Sequence, residues 1–320
     1  MKKKTKVVTS TGAEVRQKPL KLRIWNNRGF YLMFLPVLIF TLIIYYWPML
    51  GVRYAFYDFK AIGTPKWVGL AHFQKMFSTT AFWTAFKNTL LLSIMRMLLT
   101  NFSAVIVSIF LNEMKNLFAK KTLQTIIYLP HFMSWAVVAS IFSLILSPSS
   151  TGMINGMLRD WGILEQTQYI YFLADNKWWR PIFYIINIWK ETGWGTIIFL
   201  ATLSGINPEL YEAADIDGAT RMQKIKYVTL PALTNTIITV LILNLAKVLN
   251  MFEPVFVLYN PSVYEKADVI STFIYRQTFM NKMPNYGYST AVGLFRSLVG
   301  CALVLFCNWL SKKTRDRGII

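Results

Sequence analysis

The sequence predicts an all-α, polytopic membrane protein with six transmembrane helices. Two observations predict this class: the composition and the spacing of long apolar stretches. Hydrophobic residues make up 54% of the 320 residues, charged residues only 15%, and the mean hydropathy is +0.39. Because a soluble domain carries about 25% charged residues, this chain has too few to cover a water-facing surface. The composition excludes a disordered chain, a collagen-like chain, a disulfide scaffold and most soluble enzymes.

Six apolar stretches reach the length of about 20 residues that a helix needs to cross a bilayer. In chain order they are residues 30–52, 89–111, 123–147, 182–203, 232–252 and 288–310. The second, fourth, fifth and sixth carry charged side chains, which are tolerated where they face the interior of a helix bundle or water. Pro130 lies inside the third stretch and predicts a kink or a break in that helix.

The distribution of Lys and Arg predicts that both termini are cytoplasmic. With the N-terminus inside, the cytoplasmic segments are 1–29, 112–122, 204–231 and 311–320. They hold 19 Lys and Arg in 78 residues, whereas the outer segments hold 11 in 105. This bias follows the positive-inside rule. The domain organisation is then an N-terminal tail (1–29), a six-span domain (30–310) and a C-terminal tail (311–320).

The lysine run at the N-terminus has two interpretations. It resembles a patch that binds nucleic acid, but next to a membrane span it is better explained as a tail near anionic lipid. We therefore expect contact with membrane lipid and no nucleic-acid partner.

The longest cytoplasmic loop, 204–231, has strong helix start and stop signals. Asn207 is a good N-cap and Pro208 suits the first helical position. Gly218 stands where a residue with positive φ would end the helix, and a second helical piece is expected from Thr220 to Tyr227. These features alone fit either a docking surface for another protein or an amphipathic helix lying on the membrane.

The same loop resembles the EAA loop of ABC importer permeases. The matching residues are Glu212-Ala213-Ala214, Gly218 and Val228-Thr229-Leu230-Pro231, with Val228 where the family usually has Ile. The flanking strings 207–211 and 217–219 resemble the sugar-importer (maltose-type) branch. The strings 146–155 and 258–275 resemble its subgroup for oligosaccharides and polysaccharide fragments, such as alginate and pectin fragments. A Gly-Gly-Pro turn found in many other sugar permeases is missing here.

This resemblance implies a type I ABC importer permease in a bacterial cell (inner) membrane. Two permease subunits, usually different, would pair around one pathway, with two ABC ATPase subunits inside and a substrate-binding protein outside. The EAA loop would supply a coupling helix that docks on an ATPase subunit. The docking residues implied are Glu212, Ala213, Ala214, Asp215, Asp217, Gly218, Leu230 and Pro231. ATP and Mg would bind the separate ATPase, so this chain is expected to bind no cofactor and to be no enzyme.

Polar and aromatic residues within the spans are candidates for the substrate pathway. The candidates are Arg96, Tyr184, Trp189, Lys190, Glu191, Trp194, Asn244, Lys247 and Arg296. For the charged ones, structural pairs between helices are the simpler interpretation. Lys190 and Glu191 are adjacent and point about 100° apart, so we expect each to have a partner elsewhere. The net positive charge of the spans would suit an acidic sugar, such as a uronate oligomer.

Other function classes have less support. An ion-coupled secondary transporter predicts inverted repeats, and a membrane enzyme predicts paired carboxylates or His clusters; neither is visible. An ABC permease for another polar solute remains an alternative. His131, after Pro130, suggests either a locally bonded His at a kink or a proton relay. Two Cys and two His give no metal-ligand pattern, and no GxxxxGK[ST] loop occurs for ATP.

Overall fold

The structure, a computed structural model, describes residues 20–60 and 62–315 and is predominantly helical. The chain divides into two compact units, with the boundary in the sequence between Arg53 and Tyr54. The all-α class predicted from the sequence is confirmed. The lysine run at the N-terminus and residues 316–320 lie outside the described residues.

The first unit is helical and apolar. It contains α1 (Leu20–Asn26), α2 (Arg28–Thr41), a π-turn (Leu42–Tyr46) and α3 (Trp47–Met49). Among its described side chains, residues 21–53, none is buried within the structure. A helical segment this apolar and this exposed needs lipid or another apolar surface around it.

The second unit contains the remaining α-helices and the two β-strands. They are β1 (Tyr57–Asp58), β2 (Lys66–Trp67), α4 (Ala71–Ser78), α5 (Thr80–Glu113), α6 (Leu117–Tyr128), α7 (Trp135–Ile145), α8 (Met153–Asp160), α9 (Trp179–Ser204), α10 (Pro208–Ile216), α11 (Arg221–Lys224), α12 (Leu230–Leu245), α13 (Glu253–Phe256), α14 (Tyr264–Ala267), α15 (Ile270–Tyr275) and α16 (Tyr286–Arg315). β1 and β2 form an antiparallel pair with Tyr57 opposite Trp67.

Helices α5 and α9 pack along each other and form the framework of the second unit. Small residues let them approach: a Cβ added at Gly195 would lie 2.9 Å from the Cβ of Ala104. Leu111, Phe199 and Leu233 fill the core between α5, α9 and α12. Because α5, α9 and α12 pack closely, the polar side chains on their facing surfaces are held in fixed positions.

Four helical runs in the described part of the chain are long and apolar enough to cross a membrane. They are Arg28–Phe56, Thr80–Glu113, Arg221–Leu245 and Tyr286–Lys313. The pair Leu117–Phe132 and Trp135–Ile145 would be a fifth, but it is bent by 102°. Helix α9, 26 residues long, is long enough to cross a membrane, but its charged and polar residues make it less apolar than these four runs. Helix length and composition therefore do not establish the predicted number of six transmembrane helices.

The structure confirms the predicted break at Pro130 and corrects the predicted fifth stretch. A 3₁₀ turn, Leu129–Phe132, separates α6 from α7. Helix α12, which corresponds to the fifth apolar stretch, ends at Leu245. Lys247 therefore lies beyond the helix, and residues 232–252 do not form one continuous helix. Here the N–H of Lys247 bonds the carbonyl of Asn244, three residues back, which tightens and ends the helix. The apolar stretch continues past Leu245, so hydropathy predicted a helix that is too long at this end.

Candidate coupling loop and transport cavity

The loop between α9 and α12 folds as its sequence signals predict. The Asn207 side chain accepts a hydrogen bond from the Glu209 N–H at 3.1 Å, and Pro208 opens α10. Gly218 has a φ of +73°. Its N–H bonds the carbonyl of Asp215, and the next N–H, from Ala219, bonds that of Ala214. These two bonds form the helix end that favours glycine, because a Cβ would strain this left-handed residue.

α10 has no buried residue and is held by two side-chain contacts. The Tyr211 hydroxyl lies 3.0 Å from the hydroxyl of Thr229, which is fully buried. Lys224 donates to Asp215 at 2.6 Å. Tyr211 and Asp215 are four residues apart and therefore share one face of α10. The opposite face is left free for a partner.

The predicted docking residues fall into two groups. Glu212, Ala213, Asp217 and Gly218 are exposed on or just after α10, Ala214 is half-buried, and Asp215 is paired with Lys224. Leu230 and Pro231 lie on a different element, the first turn of α12. The bracing residues Tyr211, Lys224 and Thr229 were missed, since no sequence pattern marks their pairing.

A cavity of about 450 Å³ lies between α5, α9 and the end of α12. It brings together five of the predicted pathway residues: Arg96, Glu191, Trp194, Asn244 and Lys247. Sequence reasoning missed three further polar residues of the wall, Ser93, Thr100 and Asn101. The spacing of Ser93 and Thr100 from Arg96 would have revealed these two, because residues three or four positions apart share one face of a helix. Asn101 is five positions from Arg96, about 140° around the helix, so this rule does not reach it.

The other four predicted pathway residues do not line this cavity and contact other groups. Lys190 is buried and donates to the carbonyl of His131 at 2.8 Å. Trp189 packs against Phe142, and Tyr184 against Phe183. Arg296 donates to Ser271 at 2.9 Å.

The break between α6 and α7 supplies the partners expected for Lys190 and Glu191: backbone carbonyls for Lys190 and the His131 ring for Glu191. Glu191 Oε2 lies 3.0 Å from His131 Nδ1, and its Oε1 lies 3.8 Å from Lys190 Nζ. The two adjacent side chains thus come close, although their positions on the helix diverge, because both are long. A purely local bond for His131 was the wrong interpretation, since its partner is on α9.

The charge balance of the cavity wall is positive. Arg96 and Lys247 face one carboxylate, that of Glu191, which already has partners. Within the described residues neither cation has a carboxylate within 4.0 Å. The described residues also contain no cluster of His, Cys, Asp or Glu that could hold a metal ion. The arrangement can bind an anion and hydrogen-bond hydroxyl groups.

An exposed, capped helix and a polar cavity in a bundle of long apolar helices are features that a transport permease requires. The chain belongs to the family of binding-protein-dependent transport system inner membrane components, whose model matches residues 104–316. It is 38% identical to a polygalacturonan/rhamnogalacturonan transport system permease protein, YteP, of Bacillus subtilis, over 95% of this chain and 94% of that one. It is also 38% identical to Protein LplB of Bacillus subtilis, over 92% of each chain.

Two solved structures are similar along most of the chain. One is a bacterial ABC transporter involved in the import of the acidic polysaccharide alginate, with a TM-score of 0.83 and 40% identity. The match covers 92% of this chain and 99% of that one. The other is a bacterial alginate ABC transporter in complex with a periplasmic protein that binds an alginate pentasaccharide, with a TM-score of 0.83, 39% identity and coverage of 94% and 100%.

These findings confirm the predicted resemblance. The chain is a multi-pass membrane permease of a binding-protein-dependent ABC importer. Its partners are a substrate-binding protein, a second permease and separate ATPase subunits.

Proposed function

We propose that this chain forms part of the pathway by which an ABC importer moves acidic, uronate-containing oligosaccharides. The observation that carries the proposal is Arg96, a half-buried guanidinium on the cavity wall with no carboxylate partner within 4.0 Å among the described residues. A guanidinium presents a planar pair of donors that matches a carboxylate. Lys247 adds a second cation to the same wall.

The rest of the cavity suits a sugar. Trp194 offers an aromatic surface on which a sugar ring can stack, and Thr100, Asn101 and Asn244 offer partners for hydroxyl groups. A volume of about 450 Å³ lies within the range of ligand sites, roughly 300–1,000 Å³. The names of the similar proteins support the acidic class, since they refer to polygalacturonan, rhamnogalacturonan and alginate.

The test is uptake by the reconstituted complex of this chain, its second permease, the ATPase and the binding protein. Oligogalacturonate and a neutral oligosaccharide of equal length would be compared in proteoliposomes. In Arg96→Gln we expect the KM for oligogalacturonate to rise about 10- to 100-fold, because a hydrogen bond between charged groups contributes about 1.5–3 kcal/mol. Arg23→Gln, at an exposed arginine that does not line the cavity, is the matched control. Equal use of both sugars by wild type, with Arg96→Gln unchanged, would contradict the proposal.

For the loop, we infer that the free face of α10 docks on the ATPase on the cytoplasmic side, with both termini on that side. Ala213 is exposed on that face and Glu212 is exposed at its edge, and the small Ala213 permits close approach. ATP and Mg are assigned to the ATPase and not to this chain.

The docking assignment is tested by charge reversal. In Glu212→Lys, uptake and sugar-stimulated ATP hydrolysis should fall while membrane insertion persists. The control is Glu113→Lys, at another exposed carboxylate, which should retain uptake. Wild-type uptake in Glu212→Lys would refute the assignment.

A further inference from the structure

His131 lies beside the cavity without lining it, and it contacts two residues that do. Its Nδ1 is 3.0 Å from Glu191 Oε2. Its ring stacks on Trp194, with centroids 4.7 Å apart and an angle of 10° between the planes. One side chain on the turn between α6 and α7 thus fixes a charged and an aromatic group of the cavity wall.

The turn that carries His131 is itself attached to α9. Lys190 Nζ donates to the carbonyl of His131 at 2.8 Å and lies 3.5 Å from that of Pro130. A Cβ at Gly193 would lie 2.1 Å from the carbonyl oxygen of Ile127, so the two backbones are in direct contact. The 3₁₀ turn ends at Phe132, so the His131 carbonyl lies at a helix end, and Lys190 supplies its hydrogen-bond donor. His131 is therefore held at a fixed distance from α9.

Arg96 and Glu191 carry opposite charges on the same cavity wall. The two charges interact electrostatically, yet they do not form an ion pair. Both oxygens of Glu191 face other groups, Oε2 the His131 ring and Oε1 the Lys190 ammonium. A carboxylate freed from these partners would be drawn to the nearby guanidinium.

We propose that His131 is a specificity-determining positioning residue that holds the Glu191 carboxylate away from Arg96. Arg96 is thereby left for the carboxylate of the transported sugar. The inference rests on the proposed function, since it requires that an acidic sugar uses Arg96. Without the His131 bond, Glu191 becomes an internal competitor for the guanidinium.

The test combines His131→Phe with Glu191→Gln. Phenylalanine keeps a ring to stack on Trp194 and removes the donor. We expect His131→Phe to raise the KM for oligogalacturonate about 10-fold while the maximal uptake rate stays within about twofold. The double variant, His131→Phe with Glu191→Gln, should restore the KM, because glutamine is neutral and cannot compete. Glu191→Gln alone shows the effect of removing the carboxylate. The control is Glu113→Gln, at an exposed carboxylate that does not line the cavity, which should leave the KM unchanged.

The outcomes separate the two proposals. If Arg96→Gln raises the KM but His131→Phe does not, the positioning role is refuted and the acidic-sugar proposal stands. If His131→Phe raises the KM and the double variant does not restore it, His131 acts through Trp194 or through general packing, and the inference fails. If Arg96→Gln itself changes nothing, the proposed function fails first.

Discussion

Gly193→Ala should separate the broken helix from α9 and impair the transporter. The new methyl group would lie 2.1 Å from the Ile127 carbonyl oxygen, 2.7 Å from its carbon and 3.0 Å from the Tyr128 Cα. All three atoms belong to the backbone, so no rotation of a side chain relieves the contact. The two backbones must move apart by roughly 0.9 Å to bring the closest contact to the 3.0 Å limit of real structures.

This movement has a measurable cost. Overpacking a tight contact costs about 1–3 kcal/mol. It also strains the Lys190 bond to the His131 carbonyl, since the same backbones are joined by it. We expect a lower midpoint of thermal unfolding for the purified complex and reduced uptake. Both are measurable on one preparation, by fluorescence during heating and by uptake in proteoliposomes.

The matched control is Gly293→Ala in α16, where a Cβ would meet nothing within 4 Å. There the substitution should be neutral or slightly stabilising, because alanine favours a helix over glycine by about 1 kcal/mol. If Gly193→Ala unfolds at the wild-type temperature and transports normally, the contact between α9 and the end of α6 is not as close as described, and the reasoning is refuted.

Two further predictions concern the loop and the segment between α7 and α9. In Gly218→Ala the new Cβ meets no atom within 4 Å, but the residue keeps a left-handed conformation (φ +73°), which costs an alanine about 1–2 kcal/mol. Uptake should therefore fall while the complex still assembles. The control is Gly156→Ala, at a helical glycine with open space around it, which should retain uptake. Asn155, fully buried, donates to the carbonyls of Ser147 and Ile170 and accepts from the Ile170 N–H. Asn155→Ala should destabilise by about 2–3 kcal/mol, seen as a lower thermal midpoint and faster proteolysis between residues 148 and 178; an unchanged midpoint would contradict this.

Local signals in the sequence predicted the local structure of the loop well. Asn207, Pro208 and Gly218 each act through their own backbone or that of near neighbours, so their effect is readable from position alone. The break at Pro130 was predictable for the same reason, because proline lacks the N–H that a helix needs.

The composition of the cavity was only partly predictable. Charged residues in apolar stretches indicated Arg96 and Glu191, but the same signal also included Lys190 and Arg296, whose partners are protein groups. Which of these face the cavity depends on how α5, α9 and α12 pack. The contact of His131 with Glu191 joins positions 60 residues apart, and no spacing rule within one helix reports it.

The helical run from Arg221 to Leu245, 25 residues long, connects the loop to the cavity. Near one end it carries Lys224, bonded to α10, and near the other it carries Leu243 and Asn244 of the cavity wall. At 1.5 Å per residue the run is about 37 Å long, so a tilt of about 10° at the loop moves the far end by about 6 Å. That displacement is comparable with the width of a sugar ring. A tilt of this one helical run at the loop would therefore displace Leu243 and Asn244 on the cavity wall.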